Sequence, residues 1–527
     1  MLNQFSKKAI LAITVVSLAF LNIKSAEAAD NRPNILFALV DDVSFPHMGA
    51  YGCKWVNTPV FDRIAQEGVL FNNAYTCNSK CAPSRSSILT GRNSWQLEAA
   101  ANHMCYFPAD YKVVTEALAE NGYHVGYTGK GWVPGTALKS DGSPRELLIN
   151  AYRTHKLTPP TTGISEIDYV KNFESFLADN KDNKPFFFWY GGNEAHRTFE
   201  YGSGLRNGKK MNEIDKVFDF WPDVDAVRND MLDYAYELEY FDRQLGEMLL
   251  MLEKAGQLDN TIIVVTADNG MAFPRIKGQA YELSNHLPLA IMWPKGIRKQ
   301  GRSIDDFVSF IDFAPTFLEL AEISEKKAGL KPITGKSLVS ILKSEKSGWT
   351  EADRNYVLIG KERHDIGRPS NQGYPIRGIV MRNFIYIHNY ETERWPAGNP
   401  ETGYLNCDGS PTKTACLQSR KTSNPKFWQY NLGFRPAEEL YDLRNDRECM
   451  NNLAARKEYG VIKHKMRQQM ETELRKQSDP RMFGKGYVFD NYPITPLLYM
   501  NYYENYKQGK TTMKLNWVNP EDYEVIE

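Results

Sequence analysis

Histidine and cysteine are scarce in this 527-residue chain, at nine and seven residues, and no two cysteines form a CxxC pair. A structural zinc site, built from closely spaced thiolates and imidazoles, therefore has little support. Net charge is lacking too, because 64 lysines and arginines balance 64 aspartates and glutamates. With no overall positive field, nucleic acid is not an expected partner, and an anionic substrate has to be held by a local cluster of cations. Beyond the first thirty residues no apolar run approaches the roughly eighteen residues of a membrane span, so stable membrane insertion is not expected. Internal repeats and low-complexity tracts are absent as well. What remains is 42% hydrophobic, 12% aromatic and 24% charged. This is a globular composition with room for two or more cores, unlike that of disordered, collagen-like or coiled-coil chains.

At the start, Lys7 and Lys8 precede an apolar run from Ala9 to Phe20, and Ala26, Glu27 and Ala28 offer a small-x-small cleavage site. Residues 1–29 are thus expected to be a signal peptide and the rest of the chain to be exported, periplasmic or secreted. An uncleaved N-terminal anchor is the alternative. An exported chain with seven cysteines invites disulfides, but seven is odd, so one cysteine must be different in kind.

Asn34 to Val40 (NILFALV) and Thr261 to Ala267 (TIIVVTA) are unbroken apolar runs, as expected of strands buried on both faces of a parallel sheet. Between them, His124 to Tyr127 and Pro185 to Tyr190 read as further strands and Tyr111 to Asn121 as a helix. From Ala226 to Ala255, Met231, Tyr234, Leu238, Phe241, Leu245 and Leu249 recur at helical steps and predict a core-packing helix. Alternating strands and helices indicate an α/β fold with a large, mostly parallel sheet. Past about residue 375 the pattern changes to a hairpin (Gly378 to Met381, Phe384 to His388), a loop from Trp395 to Pro425, a strand from Glu439 to Asp442 and a helix from Glu458 to Lys476. The expected organisation is a catalytic domain over 30–375 and a smaller α+β domain over 376–527.

Asp41 and Asp42 follow the first buried strand, and Asp268 and Asn269 follow the second. Ligands of open parallel sheets collect beyond the carboxyl ends of the strands, so the two pairs can converge on one crevice. Three carboxylates and an amide oxygen suit a hard divalent cation, Ca²⁺ or Mg²⁺. Taken alone, each pair reads more readily as capping or turn residues than as ligands.

The segment Cys81, Ala82, Pro83, Ser84, Arg85 and then SSILTGR resembles the sulfatase family, within the alkaline phosphatase superfamily. The resemblance extends over Asn34 to Asp42, over Thr266 to Gly270 (TADNG), to Lys277 in KGQAYE and to Lys130 in YTGKG. It departs after Lys130, where Gly131 and Trp132 stand in place of the family's Trp and His. Glu194 to Arg197, Asp268 to Pro274, Tyr374 to Arg377 and Glu439 to Asp442 before NNLA look like the heparan N-sulfatase, or sulfamidase, branch.

The resemblance implies that a formylglycine-generating maturation enzyme oxidises Cys81 to formylglycine, whose hydrate attacks sulfur. It implies Ca²⁺ held by Asp41, Asp42, Asp268 and Asn269 together with residue 81, catalytic roles for Arg85, Lys130, Lys277 and His196, and His196 as the acid for the leaving group. Pro83 near a helix start would place residue 81 at the positive end of a helix dipole, where sulfate is welcome. Arg197, Arg363, His364, Asp365 and Arg377 are candidates for the sugar subsite, as fork-shaped partners of hydroxyls or a carboxylate; the ERHD loop reads equally as a solvated charge cluster. With Cys81 converted, the other six cysteines could all pair, Cys407 with Cys416 first.

The expected activity is removal of sulfate from a glycosaminoglycan saccharide, N-sulfoglucosamine of heparan sulfate before an O-sulfated sugar. The rivals are a phosphomonoester or phosphonate hydrolase and a catalytically silent glycan-binding protein.

Overall fold

A computed structural model of the chain describes residues 30–511, 513 and 515–524; the expected signal segment 1–29 lies outside the described residues. The apolar runs form strands as their composition demands: β1 (Asn34–Val40), β2 (Val69–Tyr75), β3 (His124–Gly129), β4 (Phe186–Gly191), β5 (Thr261–Ala267) and β6 (His286–Met292). Two short strands, β7 (Arg302–Ile304) and β8 (Val308–Ser309), complete a sheet of order β8-β2-β6-β5-β1-β4-β3, with β7 also on β2. Pairings β1·β4, β1·β5 and β3·β4 are parallel. Only β6 runs against its neighbours β2 and β5 among the strands described. Every residue of β5 and all but the first of β1 are buried, which explains why neither alternates polar with apolar residues.

Helix α1 (Cys81–Thr90) begins at the motif cysteine and ends at Gly91, whose φ of 68° is the left-handed conformation that glycine adopts at low cost. Helix α2 (Asp225–Lys254) buries Met231, Tyr234, Leu238, Phe241, Leu245 and Leu249. Each such side chain contributes roughly 1.5–3 kcal/mol of burial.

From Arg32 onward the chain clusters as one compact unit. Within it a second sheet of four antiparallel strands, β9 (Tyr356–Lys361), β10 (Ile376–Met381), β11 (Phe384–Asn389) and β12 (Glu438–Asp442), starts ahead of residue 375. Its hairpin turns at Arg382, which has φ 50°. Helix α3 (Gly460–Lys476) places Met466, Met470 and Leu474 against this sheet.

All seven cysteines are free thiols, so the expected Cys407–Cys416 disulfide is not present. The two belong to different apolar clusters: Cys416, on the helix Pro411–Ser419, packs into the main core, and Cys407 packs with Ala397, Tyr404, Leu417 and Leu432. Among the described residues no helix is long and apolar enough to cross a membrane.

Candidate active site

Strands β1 and β5 lie side by side in parallel, pairing Val40 with Ala267, so the residues that follow them leave the sheet at the same edge. Asp41, Asp42, Asp268 and Asn269 are all fully buried there. Asp42 takes a left-handed φ of 56°, and its N–H donates to Asp268 Oδ1 at 3.1 Å. Helix α1 brings Cys81 to the cluster, with Sγ 3.9 Å from Asp41 Oδ1. Ser84 anchors that helix by donating to the Asp268 carbonyl at 2.6 Å.

Carboxylates crowded at this depth need cations. Arg85 donates through Nε to Asp268 Oδ2 at 2.9 Å and through Nη2 to Asp41 Oδ1 at 3.3 Å, and Nη1 holds the carbonyls of Lys130 and Gly131. Lys130 pairs with Asp41 and lies 3.4 Å from Cys81 Sγ. Lys277 pairs with Asp42 at 2.7 Å and with Asp408 at 3.1 Å. Burial opposes ionisation of Asp41, but Lys130 and Arg85 hold its carboxyl below the ordinary range. Burial pushes the Cys81 thiol up to about 12 against the pull of Lys130.

One polar atom in the cluster is left over. Asn269 donates through Nδ2 to Asp42 Oδ1 at 2.6 Å, whereas its Oδ1 is buried without a partner. Asp41, Asp42, Asp268 and Cys81 each offer a ligand atom within 4.8 Å of the others. An orphaned amide oxygen beside three carboxylates is the donor set of a hard divalent cation, so the residues fit Ca²⁺ or Mg²⁺.

A cavity of about 310 Å³ opens over Cys81. His196 stands at its wall with Nδ1 donating to the Arg197 carbonyl at 2.6 Å, which leaves Nε2 on the side of Asp42, 3.9 Å away. Burial, Lys277 and Lys130 push its pKa below the usual imidazole value. His364 and Asp365 also line the cavity, the first on Asn78 Oδ1 at 2.7 Å and the second paired with Arg368.

Three of the arginines expected to bind sugar are already engaged. Arg197 reaches the cavity wall, but its guanidinium is forked onto Asp230 at 2.7 and 2.8 Å, donates to the Ala272 carbonyl and stacks on Phe199 and Phe273. It positions the His196 loop. Arg363 points away from the cavity and donates to the carbonyls of Asp490, Tyr492 and Pro493. Arg377, on β10, forms a closed cluster with Glu362 at 2.8 Å and Asp479 at 2.7 Å, over Trp95. Arg363 and Arg377 do not line the cavity, and apart from the unpartnered Nε of Arg363 these guanidiniums spend their donors on buried acceptors.

Trp132, where the resembled pattern has histidine, donates from its indole to Ser86 Oγ on α1 at 2.8 Å and packs edge-on against Phe107. It braces α1. Among the cavity residues not singled out in the sequence are Lys80, His103, Asp408 and Trp517. Lys80 was legible by its place beside Cys81; the other three come from loops whose approach depends on tertiary packing.

Residues 33–323 match the Sulfatase family model, and residues 276–395 match the model described as N-sulphoglucosamine sulphohydrolase, C-terminal. The chain is 27% identical over 484 residues to the human N-sulphoglucosamine sulphohydrolase, covering 85% of this chain and 91% of that one. It is 28% identical over 508 residues to an ulvan-active sulfatase of Formosa agariphila, covering 87% and 77%. A solved structure of a protein in complex with its substrate D-glucosamine-2-N,6-O-disulfate superposes with a TM-score of 0.58 at 23% identity, covering 85% of this chain and 98% of that one. The first of these matches spans more than half of the chain and holds both acidic pairs, Cys81 and Lys277, so the chain belongs to the Sulfatase family and is a hydrolase of sulfuric esters or sulfamates.

Proposed function

We propose that the protein removes the sulfate from an N-sulfated glucosamine at the end of a glycosaminoglycan saccharide. The observation that carries this reading is the convergence of the two acidic pairs on Cys81, at the N-terminus of α1, beneath a cavity walled by His196. The match to the N-sulphoglucosamine sulphohydrolase C-terminal model supports the choice of sugar. The reading includes export, which rests on the pattern of residues 1–29, and encounter with a maturation enzyme that oxidises Cys81.

Asp41, Asp42, Asp268 and Asn269 would hold Ca²⁺. When present, the cation would withdraw charge from a sulfuryl oxygen and the oxidised residue 81 would supply the attacking hydroxyl. The chain's own residues do the rest. Arg85 locks Asp41 and Asp268 in place from beneath. Lys130 and Lys277 put positive charge where the sulfuryl oxygens gather, so that an oxyanion can approach an anionic centre. With Nδ1 held on the Arg197 carbonyl, His196 would take a second proton on Nε2 once a bound sulfate offsets the charge of Lys277 and Lys130, and give it to the leaving nitrogen, which departs as an amine because an amide anion is too basic to leave. Overall, water is consumed, the S–N bond breaks, the nitrogen gains the proton and inorganic sulfate is released.

Cleavage of an O–S bond on the same kind of sugar is the second reading, because the same cavity and cations serve an ester. Incubating the matured protein with N-sulfoglucosamine and with 6-O-sulfated N-acetylglucosamine separates them. Sulfate release from the first supports the proposal; release from the second alone overturns the sulfamate bond.

A further inference from the structure

The cavity over Cys81 contains three ammonium groups, and two of them already have carboxylates: Lys130 is on Asp41, and Lys277 is on Asp42 and Asp408. The third does not. Lys80 lines the same cavity and is only 4% exposed, yet among the described residues its ammonium makes neither a hydrogen bond nor an ion pair. Its position follows from the backbone, since it is the extended residue, φ −152° and ψ 148°, that leads into the first turn of α1.

The wall behind it is also positive. Lys361 is fully buried and donates only to the Pro396 carbonyl at 2.9 Å. Arg368 is paired with Asp365 and shares the carbonyls of Trp395 and Pro396. Lys80 thus lies within electrostatic reach of Lys277 and Lys361, and Lys361 of Arg368, with the carboxylates Asp408 and Asp365 among them. Burial, with Lys277 adding to it, pushes the Lys80 pKa down. Burial and these lysines push His103 and His364 far below the usual imidazole value, so both rings stay neutral and add no charge. A buried ammonium without a partner is costly, and an anion placed against it removes that cost.

We infer that Lys80 binds a second anionic substituent of the saccharide, beside the sulfate that is removed, and so makes the enzyme selective for doubly anionic sugars. This rests on the saccharide sulfatase reading above and adds to it a specificity-determining residue. Two substituents have the required chemistry: a second sulfate on the same ring, or the carboxylate of an adjoining uronate. A charge-assisted hydrogen bond from a desolvated ammonium corresponds to roughly a tenfold gain in affinity or more.

The test is binding, measured by calorimetry on the full-length Cys81→Ala protein, which traps the sugar. The ligands are N-sulfoglucosamine, 6-O-sulfated N-acetylglucosamine, the 2-N,6-O-disulfated sugar and N-sulfoglucosamine linked to a uronate. The disulfated sugar or the uronate disaccharide is expected to bind about tenfold tighter than the singly charged sugars, and which of them gains identifies the source of the second anion. Adding Lys80→Met should bring that ratio close to one, and Lys80→Arg should restore part of it. Equal ratios with and without Lys80 overturn the inference, as does a Lys80→Met loss that is the same for singly and doubly charged sugars, since Lys80 would then serve the scissile sulfate. No gain from either second anion overturns it too. Sulfate release by the matured, unsubstituted enzyme is read separately: no release from any of these sugars removes the saccharide reading itself.

Discussion

Two buried clusters of opposite charges lie in this molecule, one at the edge of the large sheet and one behind the small sheet, and they use the same residue types to opposite ends. In the first, Arg85, Lys130 and Lys277 meet Asp41, Asp42 and Asp268, and a cavity and an unpaired Asn269 oxygen remain. In the second, Arg377 and Arg481 meet Glu362 and Asp479, and Trp95 and Phe489 close over the guanidinium of Arg377. What separates a site from a structural cluster here is the leftover: an acceptor without a donor and space beside it. Pairing of charges alone does not distinguish them, since buried ion pairs are weak evidence for either role.

Substitutions that treat the two clusters alike should therefore have opposite consequences. The largest effect is expected at Cys81. Cys81→Ala should lower sulfate release by at least about a thousandfold, the scale of losing a nucleophile, with little change in Tm, because it removes one sulfur atom from a site with space beside it. Retention of more than about a thousandth of the activity would show that residue 81 is not the reacting group. Next comes Asp268→Ala, which should abolish bound calcium or magnesium in metal analysis and activity with it, as oxygen-ligand sites tolerate few missing carboxylates. Stoichiometric zinc in the unsubstituted protein would refute the hard-cation reading.

In the closed cluster, Arg377→Met should cost stability, about 3–5 kcal/mol, by leaving Asp479 buried without its cation and Glu362 with Arg481 alone, while KM of the remaining folded enzyme stays within about twofold. A raised KM at unchanged stability would return Arg377 to the sugar subsite and erase the distinction. His196→Ala is expected to lower kcat by about a hundredfold and change KM less, since the proton is needed in the transition state; the reverse pattern in steady-state kinetics would make His196 a binding residue.

The smallest effect concerns a buried acid that belongs to neither cluster. Asp242, on α2, accepts the N–H groups of Val60 and Phe61 at 2.9 and 2.8 Å, and burial raises its pKa to about 7. The native state then keeps its proton up to about pH 7, whereas the unfolded chain loses it near the ordinary value of 3.8. Its contribution to stability should decline as pH rises from about 4 to about 7. Denaturant titrations across that range should show a flatter slope for Asp242→Asn; an unchanged slope would mean that Asp242 ionises normally.

Much of this was legible in the chain. Strands buried on both faces are unbroken apolar runs, so β1 and β5 were read to the residue, and α2 to within one residue at each end, because burial leaves a periodic signature in composition. Strand β6 was not read, for His286 and Pro288 interrupt its apolar run, and β2 was not read, for Asn72 and Asn73 sit at its bulge. The helix expected over Tyr111 to Asn121 starts only at Val114, since the Glu116 side chain caps it by accepting the Val113 N–H.

The sequence by itself determined the Cys81 segment and both acidic pairs, because each is contiguous: a strand end or a first helical turn carries its own residues to the site wherever the element goes. It also determined the α/β class of the large sheet. Only the tertiary structure decided what the long-range charges do. Arg197, Arg363 and Arg377 look alike in a string of letters, and their partners Asp230, the carbonyls of 490–493, and Glu362 with Asp479 come from elsewhere in the chain. Lys80 was in plain view beside Cys81, but that its ammonium lacks a partner can be seen only when every neighbour is in place. Burial sets the strength of a charge and geometry its partner, and neither is a local property of the chain.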